Sequence, residues 1–206
     1  MKLDTLRELG GLSLMIGGLL LAVYVALFNI ILPVEAMEND FARMVLTPYW
    51  IPVCAVALVA VILFVFGFTA AYSKLYASSG VLGLSGYIVL TTAYIFQAGQ
   101  LVLEVFFYPA IASTENGLEI FRQDILMNHP MAQVFTMVFM VILGVGVLLF
   151  GITILRSNVY SNVSGVLFIA GAVLYAASPV FLLNLAGIIL FATGCFLIGL
   201  RVRRHA

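Results

Sequence analysis

Three polar residues lie on one face of a long apolar segment near the middle of the chain. Gln97, Gln100 and Glu104 follow one another at positions i, i+3 and i+7. At about 100° per residue, this spacing places all three within an arc of about 60° on a helix. A carboxylate at membrane depth costs several kcal/mol unless something compensates it, so Glu104 is the first candidate for a functional residue.

Other polar side chains occur at a similar depth in neighbouring segments. His129 precedes the next long apolar segment, Gln133 lies one helical turn further on, and Asn29 lies near the end of the first apolar segment. The predicted ligand-binding set is therefore Glu104, Gln97, Gln100, His129, Gln133 and Asn29. Because the inner halves of the segments carry mainly threonines and glycines, we expect a polar pocket that opens to the outside and is closed below by small residues.

Each of these residues also has a structural explanation. Glu104 can extend to the outer interface and pair with His129 or Arg122. Buried glutamines often hydrogen-bond helices together, each worth about 0.6–2 kcal/mol, and a histidine before a proline commonly begins a helix.

The sequence has no HExxH, GxSxG or CxxC motif and no phosphate-binding loop, so we expect no catalytic residue, metal or cofactor.

Three functions remain open at this point. The first is binding or transport of a small polar or amphiphilic ligand through the outward pocket. The second is a structural or regulatory subunit, in a homo-oligomer or a membrane complex, whose polar groups lock helices together. The third is an intramembrane enzyme with Glu104 and His129 as an acid–base pair. We rank it last because no second carboxylate or nucleophile lies at that depth.

The composition indicates which elements must position these residues. Of the 206 residues, 64% are hydrophobic and 9% are charged, with a mean hydropathy of +1.20, whereas a soluble domain carries about 25% charged residues. A helix needs roughly 20 apolar residues to cross a bilayer. We therefore predict an all-α fold, a single integral membrane domain over residues 1–206, with six transmembrane helices at about 10–32, 51–72, 81–107, 131–155, 163–178 and 180–200.

The basic residues predict the orientation. Nine basic residues balance nine acidic ones, which leaves no basic face for nucleic acid and makes the lipid bilayer the expected partner. Seven of the nine basic residues fall on one side of the predicted helices, and only Arg43 and Arg122 fall on the other. Cytoplasmic loops are enriched in Lys and Arg, so both termini are predicted to be cytoplasmic in a cell membrane. The first apolar run, about 22 residues, is longer than that of a signal peptide, so we expect it to remain uncleaved.

The two outer loops are each predicted to contain an amphipathic surface helix. In the first, the apolar residues at helical spacing are Met37, Phe41, Met44 and Val45. In the second, Asn116 has capping-box spacing to Glu119. The apolar edge of that helix would be Leu118, Phe121 and Ile125. The alternative for both loops is solvated chain without a helix.

The sequence also suggests a tandem repeat of helix hairpins. The stretch from Phe66-Gly67 to Gly86 matches the stretch from Phe150-Gly151 to Gly171 with one inserted residue. Gly11 and Gly17 in the first segment repeat the spacing of Gly80 and Gly86. Because both matched stretches run in the same direction, the repeat is predicted to be parallel, with about three copies. Glycines of this kind let helices approach closely.

Several short motifs resemble those of a known family. The fourth segment ends in Leu149-Phe150-Gly151, Arg156-Ser157 follows, and Ser164-Gly165-Val166-Leu167 begins the next segment. With the first outer surface helix, these motifs resemble a group of uncharacterised bacterial multi-pass membrane proteins, a domain of unknown function. The resemblance covers about half of the chain and implies a multi-pass membrane fold without indicating an activity.

Overall fold

The computed structural model describes residues 3–37, 40–122, 129–177 and 180–204. This part of the chain is helical and contains no strand. The helices are α1 (Leu3–Ile31), α2 (Phe41–Val45), α3 (Trp50–Val102), α4 (Tyr108–Ala112), α5 (Glu115–Arg122), α6 (Pro130–Arg156), α7 (Asn162–Ala177) and α8 (Phe181–Arg204), with a 3-10 turn at Val34–Ala36 and a π-helical segment at Leu103–Phe107. The predicted all-α class is confirmed for these residues.

Among the described residues, four continuous helical stretches are long and apolar enough to cross a membrane. They are Asp4–Ile31, Trp50–Ala112, Pro130–Arg156 and Phe181–Arg203. The helix α7 is equally apolar but has only 16 residues. These lengths agree with a membrane protein, and the ends of α6 and α7 lie within one residue of the predicted segments. Residues 178 and 179, where the fifth predicted segment gives way to the sixth, lie outside the described residues.

The long helix α3 reverses its direction at Gly80. This residue has φ 55° and ψ −153°, a conformation that side chains with a β-carbon rarely adopt. The side-chain oxygens of Thr69 and Tyr87 lie 3.0 Å apart in a hydrogen bond, whereas a straight helix would separate these residues by about 27 Å. Residues 50–79 and 81–102 therefore form two antiparallel arms, which we name α3a and α3b.

Neighbouring helices make equivalent close contacts at glycines. In three places a glycine faces a phenylalanine of the next helix along the chain, so closely that an added β-carbon would press on that residue. The three pairs are Gly17 with Phe64, Gly86 with Phe150, and Gly171 with Phe191. One helical turn away a second contact repeats as Leu14 with Gly67, Gly83 with Thr153, and Phe168 with Gly194. The pairs α1–α3a, α3b–α6 and α7–α8 therefore cross in the same register.

This register differs from the sequence alignment of the repeat in the second and fourth predicted segments. The alignment equates Phe66 with Phe150, but Phe66 is 61% exposed and Phe150 is fully buried. The structure instead makes Phe64 equivalent to Phe150, a displacement of two residues. In the third and fifth predicted segments, the alignment of Gly86 with Gly171 agrees with the structure, because each of these glycines contacts a phenylalanine.

A layer of aromatic rings fills the centre of the bundle at the level of these contacts. The rings of Phe68 and Tyr94 stack with centroids 5.6 Å apart. Phe68 also meets Phe150 and Phe168 edge-on, at 5.5 and 5.7 Å, and Phe168 packs on Phe191 at 5.0 Å. Large aromatic side chains bury 150–250 Å² each, so this aromatic layer joins α3, α6, α7 and α8 and separates the two halves of the bundle.

A second aromatic group covers the outer ends of α1 and α3. Phe41 of α2 contacts Trp50 at 5.7 Å, Tyr108 at 6.2 Å and Phe121 of α5 at 5.7 Å between ring centroids. We name these four residues the aromatic cap. Asp40 begins α2, since its Oδ1 accepts a hydrogen bond from the main-chain N–H of Arg43 at 3.3 Å.

The two outer helices differ from their predicted form. In the first loop, Met37 lies outside α2 and is 50% exposed, whereas Phe41, Met44 and Val45 are buried against the bundle. The apolar edge therefore packs on protein, because aromatic partners from α3 and α5 are within reach.

In the second loop, Thr114 caps α5 in place of Asn116. Its Oγ1 accepts a hydrogen bond from the main-chain N–H of Gly117 at 3.1 Å, so the helix begins at Glu115, one residue before the predicted cap. Leu118 and Phe121 face inward, as predicted, and Ile125 lies outside the described residues.

The outer half of α6 is packed very differently from that of α3. No side chain between residues 131 and 145 is buried, and Met131 and Met137 are 70% and 67% exposed. In contrast, Tyr94 and Leu101 on α3b are buried. In its outer half, α6 is thus largely exposed, although Phe135 still contacts Phe96 of α3b, with ring centroids 6.0 Å apart.

Candidate functional site

Glu104 lies in the π-helical segment that follows α3, and Pro109 explains this local structure. The N–H of Tyr108 bonds to the carbonyl of Leu103, which is the i to i+5 register of a π-helix. In that register the next donor would be residue 109, but proline has no N–H. The carbonyl of Glu104 accepts a hydrogen bond from the indole Nε1 of Trp50 instead, at 2.8 Å.

The Glu104 side chain has a neutral neighbour on its own helix. Its Oε1 accepts a hydrogen bond from Nε2 of Gln100 at 2.9 Å. The thiol of Cys54, on α3a, lies beside the same carboxyl group and is only a weak donor. Among the described side chains, no cationic group forms an ion pair with Glu104. About 12 Å of helix separates this residue from the end of α4.

Of three tyrosines from three different helical segments, two lie within electrostatic range of the third, and one of those two, Tyr24, is also within range of Glu104. The Tyr24 side chain of α1 is within electrostatic range of Glu104 and of Tyr175 on α7, and Tyr94 of α3b is within range of Tyr175. None of the three hydroxyl groups makes a hydrogen bond within the described part of the chain. Nδ2 of Asn184 on α8 donates to the carbonyl of Tyr175 at 2.8 Å, which links α8 to this tyrosine.

None of these tyrosines belongs to the predicted ligand-binding set. Tyrosine is abundant at membrane interfaces, so its presence alone is a weak indication of a site. Position gives a better signal, because Tyr24 lies several residues inside its apolar segment, too deep for an interfacial residue. Tyr175 lies nearer the end of α7 and had no such signal.

The structure brings together only part of the predicted ligand-binding set. Gln100 and Glu104 are bonded. Gln97 is half-buried and makes no hydrogen bond with a described residue. Asn29 is also half-buried, and its Nδ2 donates to the carbonyl of Val25 one turn earlier on α1, at 2.8 Å.

The two predicted residues of α6 are placed differently. His129 caps its own helix, since its Nδ1 accepts a hydrogen bond from the main-chain N–H of Met131 at 3.2 Å. Gln133 is exposed on the same helix. Within the described part of the chain, no hydrogen bond connects either residue with Glu104, so the geometry gives no support to an acid–base pair.

The aromatic cap and the aromatic layer bound the Glu104 region from two sides. Tyr108 of the cap and Cys54 pack in the same apolar cluster, and Tyr94 belongs to the layer. The region therefore offers carboxylate and amide oxygens as acceptors, tyrosine hydroxyls as donors, and aromatic walls. No group of three His, Cys, Asp or Glu residues in the described ranges is arranged to hold a metal ion.

Two surface pockets lie elsewhere. One has a volume of about 280 Å³ and is lined by Tyr160, Ser161, Leu197, Leu200 and Arg201. The other, about 300 Å³, lies between α1 and α8 and is lined by Met15, Leu19, Ala22, Ile189, Ala192, Thr193 and Phe196. Neither pocket is lined by a residue of the predicted ligand-binding set.

The described residues define a class, a helical membrane protein with a partly buried carboxyl group among its helices. Comparison with known proteins adds no family to that description, since no family model, curated protein or solved structure matches the chain.

Proposed function

We propose that the chain crosses the cell membrane six times, as α1, α3a, α3b, α6, α7 and α8, with both termini in the cytoplasm. Each arm of α3 exceeds the roughly 20 residues that a span requires. Nζ of Lys74 donates to the carbonyl of Arg201 at 3.0 Å, which supports a common side for the end of α3a and the end of α8. The distribution of basic residues favours the cytoplasm for that side.

The six spans form three tandem hairpins in this proposal. The supporting observation is the shared register of α1–α3a, α3b–α6 and α7–α8, with a glycine against a phenylalanine in each. A glycine at a helix crossing lets the two backbones approach closely. A repeated unit of this kind explains why the same contact recurs.

Within this bundle, the region around Glu104 binds, and through the bundle transports, a small polar or amphiphilic ligand from the outer side. The observation that carries this proposal is the state of the carboxyl group. It is partly buried within an apolar helical segment, it is bonded to the neutral Gln100, and no described cation pairs with it. An ionisable group held at that depth without a charged partner is costly to stability and marks a functional site.

The alternative role, a subunit whose polar residues lock helices together, has less support. Gln100, Asn29 and His129 all make their side-chain hydrogen bonds within their own helices. Bonds between helices come from other residues, such as Trp50 and Asn184. The predicted polar set is therefore not used to join helices, apart from the weak contact of Glu104 with Cys54.

The chemistry of the region indicates the class of ligand. A carboxylate is best complemented by a cation or a strong hydrogen-bond donor. The unbonded hydroxyls of Tyr24 and Tyr175 supply further polar contacts, and the rings beside them favour an apolar portion or a cation over an aromatic face. We therefore expect a small amine or another donor-bearing amphiphile.

Accessibility to a membrane-impermeant thiol reagent tests the proposal. We would introduce Gln97→Cys, Gln100→Cys or Glu104→Cys singly, in a chain carrying Cys54→Ala and Cys195→Ala, and label intact cells. A water-filled route from outside predicts labelling of at least positions 100 and 104. Excess amine-bearing ligand should then slow the labelling.

Two matched positions control the experiment. Ile95, on the same helix, is 60% exposed toward the surroundings of the bundle, so Ile95→Cys should remain unlabelled in lipid. Glu115→Cys, at the start of α5, should be labelled rapidly. Protection of positions 97, 100 and 104 in a folded protein, with Glu115→Cys labelled, would contradict a ligand route from outside.

A further inference from the structure

Three basic side chains converge where α1, α3a and α8 meet. Nε and Nη2 of Arg7 lie 3.3 and 3.4 Å from the hydroxyl and carbonyl oxygens of Ser73. The next residue, Lys74, donates to the carbonyl of Arg201. Arg7 and Arg201 are both within electrostatic range of the Lys74 ammonium group. We name Arg7, Lys74 and Arg201 the basic cluster.

The hydrogen bonds of the basic cluster go to neutral oxygens. Nε of Arg201 donates to the carbonyl of Val159 at 3.5 Å, and no described carboxylate forms an ion pair with any of the three cations. The nearest acidic partner in sequence, Glu8, pairs with Arg203 at 3.7 Å. Three like charges thus lie together without an ion pair to a described carboxylate, and their repulsion costs stability unless an anion is bound.

Donor capacity remains for such an anion. A lysine has three N–H donors and an arginine five, whereas Lys74 uses one of its donors and Arg201 only its Nε. Arg201 also lines the pocket of about 280 Å³ that contains Ser161 and is walled by Leu197 and Leu200. Charged donors therefore lie next to a cavity that has both polar and apolar surfaces.

We infer that the basic cluster and this adjoining pocket bind a phosphate ester group. The guanidinium fork of arginine matches phosphate oxygens, and lysine adds a compact charge. Two sources supply the same chemistry, the head group of an anionic phospholipid and a soluble phosphate compound. The site is separate from the Glu104 region, on the other side of the aromatic layer, and does not depend on the function proposed there.

Thermal unfolding of the full chain in lipid nanodiscs tests this inference. One arm compares neutral phosphatidylcholine with a mixture containing phosphatidylglycerol. The second arm keeps phosphatidylcholine and compares inorganic phosphate with chloride at equal ionic strength, because general screening must be the same. We expect the wild type to unfold at a higher temperature in at least one arm. The arm in which this happens identifies the lipid or the soluble source.

Variants then separate a site from a general charge effect. Lys74→Gln and Arg201→Gln should each weaken the apparent affinity for the stabilising phosphate about tenfold or more, as expected for a lost charge-assisted hydrogen bond. Lys74→Arg keeps the charge and should retain binding. Arg156→Gln, an exposed basic residue outside the cluster, is the matched control.

Two results would overturn the inference. One is the absence of stabilisation of the wild type in both arms. The other is an equal loss of stabilisation in Arg156→Gln and in Lys74→Gln, since this would show a response to net charge alone. Lys74→Arg is the control for misfolding, because it keeps the charge at position 74 and should retain the stabilisation.

Discussion

The indole N–H of Trp50 bonds to the main-chain carbonyl of Glu104 over 2.8 Å, and the two residues are 54 positions apart in the chain. This tertiary contact uses the carbonyl and leaves the carboxyl group available. Pro109 lacks the main-chain N–H that would bond to the Glu104 carbonyl, and the indole N–H of Trp50 takes its place.

Trp50→Phe should destabilise the protein by about 1–3 kcal/mol, because it leaves the freed carbonyl without a donor in an apolar environment. The phenyl ring preserves the contact with Phe41. Chemical unfolding in detergent measures the change. Pro109→Ala restores an N–H at position 109, so in that background Trp50→Phe should cost less. An equal cost in both backgrounds would show that the indole bond does not compensate for the proline.

Glu104→Gln should raise the unfolding temperature at neutral pH while preventing the ligand from slowing the labelling at positions 97 and 100. The amide is nearly isosteric and still accepts a hydrogen bond from Gln100, but it removes a charge that is costly at this depth. Functional sites often reduce stability in this way. Glu115→Gln, on the exposed start of α5, should leave the unfolding temperature unchanged. A large destabilisation by Glu104→Gln would instead indicate a structural role.

The glycine contacts predict that the stability cost of a Gly→Ala substitution differs sharply between positions. Gly171→Ala places a β-carbon against the main chain of Phe191, and we expect a loss of about 1–3 kcal/mol from overpacking. Gly99 and Gly144 have no atom within 4 Å of an added β-carbon. Gly99→Ala and Gly144→Ala should therefore be neutral or slightly stabilising, since alanine favours helices. Thermal unfolding of the three variants side by side would check this order.

Tyr160, in the connection between α6 and α7, donates from its hydroxyl to the carbonyl of Ala71 at 2.9 Å. Tyr160→Phe should cost about 0.5–1.5 kcal/mol at neutral pH. Burial raises the pKa of Tyr160, with Arg7 acting weakly in the opposite direction.

A raised pKa in the folded state gives this tyrosine a definite pH dependence. Its stabilising contribution is complete below the unfolded pKa of about 10 and is lost as the pH rises toward the folded value. The wild type should therefore lose its advantage over Tyr160→Phe only in strongly alkaline solution. A difference that disappears between pH 7 and pH 9 would contradict this assignment.

Much of the helical framework can be predicted from the sequence because apolar length is a local property. The segments 131–155 and 163–178 were predicted within one residue of α6 and α7. The turn between the second and third predicted segments, residues 73–80, was predicted too long. The structure reverses the chain at a single glycine with positive φ, Gly80. The placement of Gln100 and Glu104 on one face of a helix was predicted from helical periodicity alone.

Contacts between distant segments could not be predicted in the same way. His129 and Gln133 have the right depth, but His129 caps its own helix and Gln133 is exposed. Tyr175 enters the region through the packing of α7, which its own segment does not encode. The displacement between Phe66 and Phe64 in the repeat has the same origin, because sequence similarity aligns residue types and packing aligns faces.

The close approach of Gly11 and Gly199 joins the first long helix to the last. A chain that enters the membrane from its N-terminus must therefore hold the Gly11 face of α1 without its partner until α8 has been made. Contacts within each hairpin are local in sequence and can form early, whereas the contact between α1 and α8 forms last. A chain truncated before α8 would therefore leave the Gly11 face of α1 without its helical partner.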